Sequence, residues 1–255
     1  MKRLFLILAL LPLLGMDAGQ SVITGHHRRV TFSQPAPILY IKLCGDYSSG
    51  SGCAPSSSTT AYDSSASANN ATWSGTQSGT TNWYSTIAGS VQAHSGAFNG
   101  TDDRLTFGGT NLPSGSAAGS MFAAVYLTGT CSSPCFVVGY GNQSTAQSRY
   151  LYVSSGVLVA DEYDGKIFST LSVSTNTWHC VGWTVGAANT SATIYVDGVS
   201  QTGSFPTMLN TAITNEAIGQ LPSVGFYWTG YINNVEIWNV QLAPGQIPTM
   251  ANGCT

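Results

Sequence analysis

Residues 178–203 read WHCVGWTVGAANTSATIYVDGVSQTG, two strands and the start of a third. Val181, Trp183 and Val185 fall on one face of the first strand, with His179 at its edge. Ala192, Ile194 and Val196 share a face of the second, with Thr193, Tyr195 and Asp197 opposite. Side chains alternate across a strand, so an apolar residue at every second position marks a strand with one face in a core. Residues 186–190, GAANT, are turn formers between the two. Asp197-Gly198 suits a type I′ hairpin, whose two central residues both need positive φ. This part of the chain is antiparallel sheet.

Working outward, three more segments line up with it. Residues 62–72 read YDSSASANNAT, residues 96–105 read GAFNGTDDRL, and residues 230–242 read GYINNVEIWNVQL. With the W-H-x-V-x-W-T and I-Y-V-D-G-V strands, these four motifs in order resemble a laminin-G-like, concanavalin A-like lectin/glucanase domain over residues 62–247. The resemblance implies an all-β fold, a concanavalin A-like jelly-roll β-sandwich of two antiparallel sheets. It does not choose a function, because one such sandwich hosts lectins, adhesins, spacers and hydrolases.

The rest of the chain agrees with an all-β reading. Strands are expected at 38–43, 105–107, 120–127, 136–141, 149–153, 157–162, 167–173, 217–221 and 226–238, separated by Gly, Ser and Asn turns. Many short strands without helical periodicity point to a sandwich or jelly roll. In the last strand the apolar parity changes between Ile232 and Val235, and a β-bulge near Asn233-Asn234 restores both to one face. Residues 243–250 are expected to form a helical turn.

Residues 1–19 read as a secretory signal peptide: Lys2 and Arg3 precede an apolar run, 4–14, too short to span a bilayer. Residues 20–37, with His26-His27-Arg28-Arg29, read as a flexible N-terminal segment, and 38–255 as a single domain. No second run of membrane length follows, so no membrane span is expected in the mature chain. Six cysteines behind a signal peptide imply an oxidising location, secreted, periplasmic or at the cell surface. Cys44 with Cys53 and Cys131 with Cys135 are local pairs, which leaves Cys180 for Cys254. Charged residues make up only 7%, against roughly 25% in an ordinary domain. With a net charge of −3, nothing here suits a phosphate backbone, so nucleic acid is not an expected partner.

For chemistry, retaining glucanases of this fold carry Glu-x-Asp-x-x-Glu on one strand, two carboxylates on one face. The nearest match, Glu162-Tyr163-Asp164, is followed by Ile167 where the second glutamate belongs. A Ser-His-Asp arrangement would have to use His94 or His179, both read as strand-edge or loop residues. No Gly-x-Ser-x-Gly elbow or His-Glu-x-x-His occurs. No catalytic residue is therefore assigned.

Sugar binding needs flat aromatic rings beside amides and hydroxyls. Trp73, Trp83, Tyr84, Tyr140, Tyr163, Tyr227 and Trp228 are candidates by type, while Trp183 and Trp238 sit in core patterns. Asp63, Asp102 and Asp103 are the candidate ligands for Ca²⁺, which takes about six to eight oxygens. The alternative is a turn whose carboxylates accept backbone N–H groups. The leading expectation is a secreted, non-catalytic module recognising an extracellular carbohydrate. A structural or adhesive role on a surface protein is the alternative, and a glycan-cleaving hydrolase the third. Oligomeric state is left open.

Overall fold

The structure is a computed structural model that describes residues 33–43, 59–76, 95–130, 134–221, 224–250 and 254. All belong to one compact unit, Phe32–Thr255. Residues 1–19, read as a signal peptide, most of the segment 20–37, and Cys44, Cys53, Trp83, Tyr84, His94 and Cys131 lie outside the described residues.

The described chain is the expected sandwich. One sheet runs in the order β1 (Leu39–Ile41), β15 (Thr229–Trp238), β6 (Gly119–Leu127), β11 (Trp178–Val185), β12 (Ser191–Val196), β13 (Val199–Ser204), with β4 (Gly96–Asn99) also paired to β15. The other runs β10 (Lys166–Ser172), β9 (Val157–Asp161), β8 (Ser148–Ser154), β7 (Cys135–Gly141), β14 (Ala217–Ile218), β5 (Arg104–Thr106), β3 (Ala71–Ser74), β2 (Thr60–Ala61). Every pairing between these strands is antiparallel.

The β11–β12 hairpin sits as its alternation requires. Val181, Trp183 and Val185 lie opposite Val196, Ile194 and Ala192. All six enter the main core with Met121, Ala123 and Val125 of β6 and Leu151, Val153, Leu158 and Ala160 of the facing sheet. Asp197 and Gly198 have φ of 51° and 81°, the positive pair a type I′ turn demands. The β15 bulge is also present. Its register against β6 shifts between Asn233 and Glu236, and Asn234 takes φ 44°. Ile232, Val235 and Ile237 thereby all reach the main core.

A second apolar cluster lies on the outer face of the first sheet, where Phe122, Ala124, Cys180, Tyr195 and Trp238 meet Leu242, Ile247 and Cys254. The Cys180–Cys254 disulfide holds the C-terminal segment there across 74 residues. Cys135 is disulfide-bonded as well. Ser33–Pro37, the end of the segment read as flexible, is held: Gln34 Nε2 donates to Gln246 O, Gln246 Nε2 to Ser33 O, and Trp238 Nε1 to Pro35 O. Helix after Leu242 is limited to one 3-10 turn, Pro244–Gln246. Strand 217–221 is shorter than expected because Gly219, at φ 78°, turns the chain after Ile218. At the far side, Gln201 Oε1 accepts the Thr170 N–H, so a side chain of β13 satisfies an edge amide of β10.

Candidate functional site

Of the seven aromatics singled out by type, three belong to the interior. Trp73 packs on Phe98 at 4.9 Å, Tyr140 donates its hydroxyl to Pro113 O, and Trp228 is fully buried. They fill the core of a sandwich that buries its large rings, so none is a platform for sugar. Tyr163 is exposed, and Tyr227 is half-buried with its hydroxyl accepting from Gln220 Nε2.

The strand register assembles a different group. On the outer face of the first sheet, Trp178 of β11 lies opposite Tyr126 of β6, and Tyr126 opposite Tyr231 of β15. Tyr126 stands 5.7 Å from Trp178 and 5.8 Å from Tyr231, ring centre to ring centre, tilted by 60° and 68°. The three form a continuous aromatic row across three adjacent strands. Further along the same face the C-terminal segment covers Phe122 and Ala124; Trp178 packs against this cluster with its Nε1 buried, and Trp178, Tyr126 and Tyr231 are each half-buried. Exposed Thr128, Asn176 and Thr177 flank the row along the chain and carry no charge. Gly230, at φ 128°, lets β15 approach, since a Cβ there would meet Tyr126 O at 2.1 Å.

Beside Trp178, His179 is buried and bonded at both ring nitrogens. Nδ1 lies 2.7 Å from Asp197 Oδ2; Nε2 lies 2.8 Å from Ser174 Oγ and 3.1 Å from the Ser174 backbone nitrogen. Cys180 N–H donates to Asp197 Oδ1. Burial alone would raise the Asp197 pKa, but the bonds from His179 and Cys180 outweigh it and hold the carboxyl below its ordinary value. This is the side-chain order of a Ser-His-Asp relay, with one difference. The Ser174 N–H occupies the Nε2 lone pair that a base would need free to take the serine proton. The arrangement ties a loop down.

The acidic residues expected to hold calcium are committed elsewhere. Asp63 Oδ1 accepts from Tyr40 N and Ser65 N, and Oδ2 from Ser65 Oγ and Asn69 N. Asp103 Oδ2 accepts from Asn99 N. Asp102 accepts from Asn99 Nδ2 and Thr76 Oγ1, which hold its carboxyl below the ordinary value. Asn99 Oδ1 in turn accepts the amides of Thr101 and Asp102. That is the turn alternative, built from local bonds. Among the described residues no group of three or more His, Cys, Asp or Glu is placed to hold a metal ion, and this donor set does not fit calcium.

A family model for the concanavalin A-like lectin/glucanases superfamily matches residues 99–248. The chain belongs to this superfamily. No curated protein matches it. Solved structures share the fold at low identity. Domain 4 of AbnA, a GH43 extracellular arabinanase from Geobacillus stearothermophilus, in complex with arabinotriose, is 15% identical, with TM-score 0.59 over 86% of this chain and 100% of that one. Trypanosoma rangeli sialidase is 14% identical, with TM-score 0.56 over 84% of this chain and 33% of that one. The binding domain of Paraclostridial Mosquitocidal Protein 1 is 12% identical, with TM-score 0.58 over 83% of this chain and 51% of that one. The chain thus spans a third to a half of the latter two.

As a lectin/glucanase relative, the chain lacks the paired glutamates of the hydrolases, and the nearest match is inaccessible. Glu162 is buried in the β9–β10 turn, and burial pushes its pKa up to about 7, partly offset by the backbone of Thr207. A Cβ on Gly165 would meet its Oε1 at 2.3 Å, so chain packs directly against the carboxyl. Tyr163 beside it takes φ 91°, far from strand geometry.

Proposed function

We propose that this protein is a non-catalytic, extracellular carbohydrate-binding module that holds a neutral sugar chain on Tyr231, Tyr126 and Trp178. The row of three half-buried rings on one sheet face carries the reading. Aromatic faces stack on the apolar faces of pyranose and furanose rings, and the uncharged Thr and Asn side chains beside them supply hydroxyl and amide partners. Among the described residues, Thr128, Asn176 and Thr177 flank the row without charge, which favours a neutral over an acidic glycan. The Cys180–Cys254 disulfide supports an oxidising location. Among the described residues no helix is long and apolar enough to cross a membrane. The arabinanase domain with arabinotriose supports the choice of arabinan as a first ligand.

Native affinity electrophoresis tests the proposal, with linear arabinan, xylan or hydroxyethylcellulose cast into the gel. The expected result is retardation in at least one gel that is lost in Trp178→Ala and Tyr126→Ala but kept in Phe168→Ala, an exposed aromatic on the other sheet. Equal migration of all four proteins in every gel contradicts it and favours the protein-contact role.

A further inference from the structure

His179 is bonded differently at its two nitrogens, and the difference reaches the aromatic row. Its Nε2 lies 3.1 Å from the backbone nitrogen of Ser174, and a backbone N–H can only donate. Nε2 is therefore an acceptor, the ring hydrogen sits on Nδ1, and Nδ1–H donates to Asp197 Oδ2 at 2.7 Å. Ser174 begins an exposed segment, 174–177, that leads into Trp178. In its middle Asn176, at φ 58°, donates its N–H to Leu127 O, next to Tyr126. One end of the segment is thus tied to the imidazole and its centre to the strand that carries the middle ring of the row.

We propose that His179 is a proton-operated latch on the aromatic row: a proton taken up at Nε2 releases Ser174, loosens residues 174–177 and weakens ligand binding at Trp178. The effect on binding rests on the carbohydrate reading; the latch itself does not. Once Nε2 carries hydrogen, two donors face each other. The Ser174 hydroxyl, now 2.8 Å away as a donor, can rotate and accept. The Ser174 N–H has no such freedom and must withdraw with its segment. The ring stays in place, because Asp197, oriented by Cys180 N–H, then pairs with an imidazolium. Asp197 is the ionisable group facing the ring from the β12–β13 turn. β6 presents Val125 opposite it, Ser174 brings no charge, and Cys180 is locked in its disulfide.

The test is a long-range ¹H–¹⁵N NMR titration of the oxidised chain from neutral pH downward to the acid limit of the folded state. The expected spectrum has an unprotonated Nε2 at the upper end. On acidification the imidazole, the Ser174 amide and the Trp178 indole shift together. His179→Gln keeps an acceptor where Nε2 was and cannot take the proton, so the Ser174 and Trp178 shifts vanish. In the arabinan, xylan and hydroxyethylcellulose gels, retardation of the native chain weakens roughly threefold or more on acidification, the scale of one lost hydrogen bond; that of His179→Gln does not change. A hydrogen on Nε2 at the upper pH, or Ser174 and Trp178 signals that ignore the imidazole, overturns the latch. The titration of the native chain decides this even where the variant fails to fold. A coupled shift with no retardation in any gel upholds the latch and removes the carbohydrate reading, whereas retardation without the shift does the reverse.

Discussion

Trp178 and Trp183 lie on one strand, five residues apart, and face opposite ways. Trp183 is in the main core, edge-on to Phe205 at 5.7 Å, while Trp178 closes the half-buried row. Trp183→Ala is therefore expected to cost about 3–5 kcal/mol of stability, the usual penalty for emptying a core site. Trp178→Ala is expected to cost much less stability and to abolish binding. Urea denaturation beside affinity electrophoresis separates the two. Asp197 predicts a pH dependence. Its folded pKa is depressed, so the stability it contributes is present above its ordinary value of 3.8 and is lost as the pH falls through the folded value. The stability gap between the native chain and Asp197→Asn should shrink as the pH falls below about 4. A gap that holds to the acid limit contradicts the assigned bonds.

Among the elements, the strands were largely readable, because alternation and turn chemistry are local properties. Residues 181–185 and 192–196 name their own faces, and Asp197-Gly198 names its own turn. The bulge at Asn233-Asn234 was readable for the same reason, as a break of parity within one strand. The aromatic row was not, because residues 126, 178 and 231 become neighbours only through the registers of three strands far apart in sequence. Choosing aromatics by type selected Trp73, Tyr140 and Trp228, whose side chains fold inward; no local pattern marks that. Two element-scale results are expected. Gly230→Ala forces β15 away from Tyr126 O, which lowers the melting temperature and weakens binding together. Removing the disulfide with Cys180→Ala and Cys254→Ala costs about 4 kcal/mol by the chain-entropy model for a loop of this size. Hydrogen exchange should then find Leu242 to Ile247 unprotected while β11 and β12 stay closed.

Across the whole molecule, ionisable groups are few and several are buried. Burial pushes Glu162 up to about 7 and Glu236 up to about 8, the latter partly offset by Lys42. Both stay protonated in the fold at a pH where the unfolded chain has already released the proton. Their effect is therefore complete below about 4.5 and is lost as the pH rises through 7 to 8, so stability should fall over that interval and then level off. Urea midpoints measured from pH 5 to pH 9 check this, with Glu162→Gln flattening the lower part of the slope. On the proposed reading, a ligand on the aromatic row is held by ring stacking and neutral hydrogen bonds. A glycan-array screen of the oxidised chain beside Tyr126→Ala, with calcium and with chelator, tests that most directly. The account predicts binding to a neutral glycan class that chelator leaves intact and Tyr126→Ala removes. Binding that survives Tyr126→Ala, or that requires calcium, would contradict it.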